Sequence, residues 1–215
     1  RSHLRRLDSI LLPDPIRARL KPDELLILIP SGVLHHLPFQ ALHDGEKYLC
    51  ERATLVHADS LTSLSLLLNR TENNNASPES ALVIGVEDFG GRLPPLPHAK
   101  IEAQAIRKVF AKTTVIEEQA ASATVKKMIE AESPDVIHFA THALIESQYG
   151  ELSRLAFHHD DLHADEIAAL RLRARLITLS ACHSALGQLH RGEENIGLRQ
   201  AFFTAGAAAI LSTLW

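Results

Sequence analysis

"RLITLSACHS", residues 175–184, decides the architecture. An apolar, partly β-branched run ends in a cysteine, and small and polar residues follow at once. Runs of this length without strict alternation are strands buried on both faces, as in parallel sheets. A second stretch, "DVIHFATHA" (residues 135–143), repeats the pattern and delivers His142 just past its own strand. Further runs of the same kind are "LLILIP" (25–30), "ATLVHA" (53–58), "ALVIGV" (81–86), "TTVIEE" (113–118) and "AAAILSTLW" (207–215).

Segments with helical spacing lie between these runs. "SLTSLSLLLN" (60–69) opens on a serine suited to a helix N-cap. "AKIEAQAIRKVFAK" (99–112) places Ile101, Ala105, Ile106 and Val109 on one stripe, the expected buried face; "ATVKKMIEAE" and "ADEIAALRLR" behave similarly. Strands alternating with helices predict an α/β fold, a three-layer sandwich whose mostly parallel central sheet is flanked by helices. The polar stretch "NRTENNNASPES" (69–80) reads as an exposed loop, with a domain boundary as the competing interpretation. The loop is preferred because neither flank alone holds enough strands to close a sheet.

Composition narrows the function classes. The 215 residues include 22 basic and 26 acidic side chains with interspersed signs, so no basic face for nucleic acid is expected. No apolar run reaches the roughly 18 residues of a membrane span, and the start lacks the apolar core of a signal peptide. The two cysteines, Cys50 and Cys182, lie in unlike contexts, which argues against a disulfide framework and for a reducing, cytoplasmic location.

Parallel sheets gather reactive groups where strands end at the carboxyl edge. If the strands ending before His142 and Cys182 are neighbours, imidazole and sulfur meet there. A free thiol has a pKa of about 8.5, and only its thiolate attacks. A nearby imidazole takes the proton and later returns it to a departing amine. The small residues Ala181, Ser184 and Ala185 leave backbone N–H groups reachable for an oxyanion. Cysteine is also among the residues most often buried, so a packing role for Cys182 stands beside the nucleophile. Cys50, in "YLCERA", has no histidine partner implied by its context. His138, inside its strand, reads as a satisfied core residue. Its i, i+4 spacing from His142 does not make a metal site, since the segment is strand-like and Phe139 stands where a zinc peptidase would have glutamate.

"VIHFATHA" and "LITLSACHSALGQLHRGEENIGLRQAFFTAGAAAILSTLW" resemble the histidine and cysteine motifs of the CHAT domain family, caspase-like cysteine peptidases related to separases and caspases. "LLILIPSGVLHHLPFQALHDGEKYLCERATLVHADSL" and "LPPLPHAKIEAQAI" are similar to the family's earlier segments. The resemblance divides the chain into a lead-in, residues 1–22, from a longer parent and a peptidase domain, residues 23–215, that stops short of the family's C-terminal end. It implies a caspase-like sandwich with His142 as general base and Cys182 as nucleophile. The backbone N–H groups of Ala143 and Cys182 would form the oxyanion hole, and Gly192 and Glu193 would support the site as a loop. It implies a protein substrate, no metal and no cofactor. It also implies an upstream helical-repeat or other sensor domain, as in bacterial defence or regulated proteolysis, with no nucleic acid or membrane engaged directly. Ala143 replaces the family's usual glycine, Ser184-Ala185 its Thr-Gly, and Glu194 its second glycine.

Two rival readings accompany the endopeptidase. One is a catalytically degenerate caspase-like module that recruits partners. The other is a nucleotide-binding domain, which would need a phosphate turn in "GVEDFGGRLPP" (85–95); that stretch has neither G-x-G-x-x-G nor GK[ST]. Asp160 and Asp161 are candidate substrate-binding acids that would favour a basic residue before the cut, or else solvated loop charges.

Overall fold

The computed structural model describes residues 2–71, 77–117, 120–146, 149–181 and 196–212. The chain falls into two compact units, Arg1–Glu72 and Asn73–Trp215. The stretch at 69–80, expected to be a loop within one domain, therefore spans the division between units. Its first residues also finish a helix. The expectation failed because the N-terminal flank needs no large sheet: two strands and a small apolar core suffice.

In that first unit, helices α1 (Ser2–Leu11) and α2 (Asp14–Arg17) precede strand β1 (Leu25–Leu28), which pairs in parallel with β2 (Thr54–His57); helix α3 (Leu61–Thr71) follows. Leu12, Phe39, Leu42 and Leu49 form its core. Asp8 is fully buried between Arg17, at 3.0 Å, and Arg52. A buried carboxylate is tolerated when cations and hydrogen bonds meet it on both sides.

The second unit contains β3 (Ser80–Gly85), α4 (Ala99–Ile106), β4 (Lys112–Ile116), α5 (Ser122–Glu132) and β5 (Val136–Ala140). A hairpin-like insertion follows, made of β6 (Ala143–Leu144), β7 (Arg154–Ala156) and β8 (Asp161–His163). The unit continues with α6 (Ala164–Ala168), β9 (Leu176–Ser180), α7 (Ile196–Ala205) and β10 (Ile210–Ser212). Five strands form a parallel sheet in the order β10-β9-β5-β3-β4, and β6-β7-β8 form a small antiparallel one. This mixed α/β arrangement is consistent with a caspase-like sandwich. Among the described residues no helix is long and apolar enough to cross a membrane.

Right-handed crossovers account for the layering. The step from β3 to β4 runs one way across the sheet, whereas every later step runs the other way, so α4 covers one face and α5, α6 and α7 the opposite one. Alternating side chains follow suit. Ala81, Val83 and Val136 pack with Ala103 of α4, while Leu82, Ile84, Ile137, Phe139, Ile177 and Leu179 pack with Val125, Ile129, Ile167, Leu198 and Phe202. The three short antiparallel strands had no counterpart in the sequence reading, since two or three residues carry too little alternation to be seen.

Helix α4 corrects the predicted stripe. Ile101 and Val109 are 65% and 72% exposed, and the buried positions are Ala99 and Ala103. The cause is close approach at Gly85, where a Cβ would come within 2.9 Å of the Ala99 carbonyl oxygen and 3.0 Å of the Ala103 Cβ. Only small residues fit between helix and strand at that separation.

Candidate active site

The first strand of the five-stranded sheet is β3, with β4 added on one side of it and β5 on the other. The carboxyl ends of β3 and β5 thus mark the point where strand order reverses, the usual place for a site in an open parallel sheet. The loop after β3 and the turn after β5 meet there.

Strands β5 and β9 are neighbours, as the pairing of their candidate residues requires. Ala140 lies opposite Ser180 at the last paired position of the two strands. His142 and Cys182 each come two residues later in sequence. Cys182 lies outside the described residues, as do Gly192, Glu193 and Glu194.

His142 is 4% exposed. Its Nε2 is 2.7 Å from the Pro94 carbonyl oxygen. A carbonyl can only accept, so Nε2 carries the proton and Nδ1 is left with its lone pair to act as a base. The ring of Phe89, itself fully buried, packs 4.6 Å from the imidazole between centroids, tilted by 44°. Both contacts come from the loop after β3. Gly90 and Gly91 have φ of 60° and 79°, the left-handed conformations that let this loop turn tightly. "GVEDFGGRLPP", considered as a phosphate turn, thus serves as the support of a histidine. A backbone carbonyl leaves no signature in sequence, so Pro94 was not a candidate; Phe89 was legible only as an apolar residue in a turn.

Ala143 lies in β6 opposite Leu155. The N–H of Ala156 donates to the His142 carbonyl at 2.9 Å. Residues 142 and 156 are therefore the hydrogen-bonded pair and 143 and 155 the non-bonded one, so the Ala143 N–H points away from β7. Ala143 is not among the residues of positive φ. The backbone here does not demand glycine, and the methyl group is buried in the core.

The remaining candidates have structural partners. Asp160 accepts from the Ser122 backbone N–H at 3.0 and 3.1 Å and from its hydroxyl at 2.6 Å. It thereby caps α5, whose preceding residue, Ala121, has no capping side chain. Asp161 is held between Arg92 and Arg154 Nε, the latter at 3.1 Å. Neither acid is a loosely solvated charge.

His138 is buried, with Nδ1 against a hydroxyl and Nε2 facing a carboxylate. Nδ1 lies 2.5 Å from the Thr178 hydroxyl, and Nε2 lies 3.3 Å from Glu102 Oε1 without hydrogen-bond alignment. Burial holds this imidazole below the usual histidine pKa, against the opposing pull of Glu102. His138 and His142 thus have separate partners. Among the described residues no group of three or more His, Cys, Asp or Glu is placed to hold a metal ion. A cleft of about 510 Å³ lies elsewhere, bordered by Ile145, Glu146, Gly150, Glu151, α6 and α7, and none of the candidate residues lines it.

The CHAT domain family model matches residues 1–215, and the chain belongs to that family, a caspase-like protease family. No curated protein matches the chain.

Proposed function

We propose, from that membership, that the chain is a cysteine endopeptidase that cleaves a partner protein through a Cys182–His142 dyad and an acyl-thioester. The observation that carries this reading is the parallel pairing of β5 with β9, with Ala140 opposite Ser180. Equal sequence offsets past that pair support a shared edge of the sheet for the two residues.

The steps follow from the chemistry of the groups. His142 Nδ1 takes the Cys182 thiol proton, while the Pro94 carbonyl fixes the ring through Nε2. The thiolate attacks the scissile carbonyl carbon, and the C=O electron pair moves to oxygen. The N–H groups of Ala143 and Cys182 stabilise that oxyanion. Collapse breaks the C–N bond, and the proton held by His142 passes to the leaving amine. Water, deprotonated by the same nitrogen, then hydrolyses the thioester and regenerates the thiol. A cytoplasmic setting, and control by an upstream sensor domain, complete the reading.

The test uses Cys50, which is exposed and free, as an internal reference for thiol reactivity. Iodoacetamide should label Cys182 much faster than Cys50 at neutral pH, and His142→Ala should remove the difference. Cys182→Ala should abolish peptide-bond cleavage while leaving the melting temperature unchanged. Equal, slow labelling of both thiols would overturn the peptidase and favour a degenerate interaction module. The near-complete burial of His142 is the feature such a module would explain.

A further inference from the structure

The loop that supports His142 is itself gripped by one tight turn. Its base is closed by the Leu96 N–H donating to the Glu87 carbonyl at 2.9 Å. Its tip folds on local contacts, the Gly90 N–H to Asp88 Oδ1 and the Arg92 N–H to the Phe89 carbonyl. These bonds shape the loop without tying it to the rest of the sheet edge. The turn between β7 and β8, which the Phe157 N–H closes on the Asp160 carbonyl, supplies that tie. His158 Nδ1 lies 2.9 Å from the Asp88 carbonyl oxygen, and because a carbonyl only accepts, Nδ1 is the donor. Arg92 donates from Nη1 to the Asp160 carbonyl at 3.1 Å and from Nη2 to Asp161, whose other oxygen takes Arg154 Nε at 3.1 Å. Between these two attachments the main chains nearly touch: a Cβ on Gly90 would fall 3.2 Å from the His158 carbonyl oxygen.

The same hairpin holds the histidine's own main chain. Ala156, just before the turn, donates its N–H to the His142 carbonyl and accepts from the Thr141 hydroxyl. The backbone of His142 and the oxygen that fixes its Nε2 proton are therefore tied to one frame, residues 156–161. A hydrogen bond weakens steeply as its length and angle drift, so the 2.7 Å contact between His142 and Pro94 depends on both sides sharing that frame.

We propose that Arg92 and His158 are positioning residues: by clamping the loop to the β7–β8 turn they keep the Pro94 carbonyl on His142 Nε2, and so keep Nδ1 as the free base. The proposal rests on the reading of His142 as general base, while the clamp itself involves only described residues. With 34% of its side chain exposed, Arg92 contributes little to overall stability. Its loss should therefore show in local opening of the loop rather than in the melting temperature. A purely structural bridge would not reach the ring proton.

The experiment follows the Nε2–H of His142 by NMR in the full chain at about pH 8, where ordinary histidines are neutral. His142→Gln assigns the signal by its loss. In the parent this proton should exchange slowly with water. Arg92→Ala and His158→Leu should each speed the exchange about fivefold or more, as expected when a hydrogen bond is lost from a local opening equilibrium. Arg92→Lys, which keeps the charge but not both contacts, should fall between, and His158→Asn, which retains a donor where Nδ1 stands, should stay near the parent. If either truncation fails to fold, Asp161→Asn, which removes the charge that Arg92 grips, carries the same expectation. Ile129→Val, a core change on α5 that lowers stability overall, should leave the exchange as it is. Unchanged exchange in either truncation, equal acceleration in Ile129→Val, or an unprotected Nε2–H in the parent overturns the proposal. Iodoacetamide labelling of Cys182 in the same proteins separates the two readings. Slow labelling in a parent whose ring proton the clamp protects removes the peptidase and leaves the clamp; fast labelling with exchange that ignores Arg92 and His158 removes the clamp and leaves the peptidase.

Discussion

Replacing Gly197 by alanine tests how tightly the segment after His142 is locked to the helix that follows Cys182. Gly197 is the second residue of α7, and Gly150 lies in a short turn between β6 and β7. A Cβ on Gly197 would fall 2.1 Å from the Gly150 carbonyl oxygen, 2.7 Å from its carbonyl carbon and 2.8 Å from its Cα. All three are main-chain atoms, so no side-chain rotation relieves the clash, and the two segments must part by roughly 1 Å or more. Overpacking of this kind costs about 1–3 kcal/mol. Alanine's helix preference over glycine returns at most about 1 kcal/mol, and less in a first turn. Overpacking wins, for a net loss of about 1–2 kcal/mol. In a chain of this size that lowers the melting temperature by about 2–8 °C. Scanning calorimetry measures it, and the alkylation rate of Cys182 in the same protein reports whether the strain reaches the thiol. Gly150→Ala, whose Cβ would meet the Gly197 Cα at 3.2 Å, should cost clearly less. A melting temperature for Gly197→Ala equal to or above that of the parent would refute the close approach and the reasoning built on it.

Phe89→Ala removes the buried ring beside His142 and should cost about 3–5 kcal/mol in a denaturant titration. It should also slow Cys182 alkylation; unchanged labelling would detach Phe89 from the site. Asp160→Ala uncaps α5 and should cost about 1 kcal/mol in the same titration; unchanged stability would remove the capping role. Burial lowers the pKa of His138 in the folded chain, so as pH falls below about 6.5 the unfolded chain takes up the proton first. Stability should therefore be fully present above that value, fall as pH drops through it, and level off once the folded imidazole is protonated. His138→Gln should flatten the stability profile between pH 7 and 5; an unaltered slope would place the effect elsewhere.

Much of the sheet was legible because its strands are buried on both faces and so read as short unbroken apolar runs. All five of its strands fall within the runs marked in the sequence or one residue outside them. The helices were legible in position but not in facing. On α4 the larger residue Ile101 lies outward because Gly85 draws the helix too near the sheet for it, and Val109, just past the helix, is exposed as well. That proximity is a tertiary fact and leaves no trace in periodicity. At the site, His142 was legible from its place after a strand, whereas its partner Pro94 acts through main-chain oxygen and is chemically anonymous. Asp160 and Asp161 were visible as acids near the edge. What they are spent on, a helix terminus 38 positions away and two arginines, depends on pairings that only the folded chain sets.

Sheet order and chain order together impose a timetable on synthesis. The ribosome releases β3 and β4 first, then β5, and only much later β9 and β10, which extend the same side of the sheet in turn. The strand that leads to Cys182 is therefore flanked on both sides only once β10 has emerged. In a nascent chain of this kind the loop and the strand that hold His142 are complete before the far edge of β9 is covered.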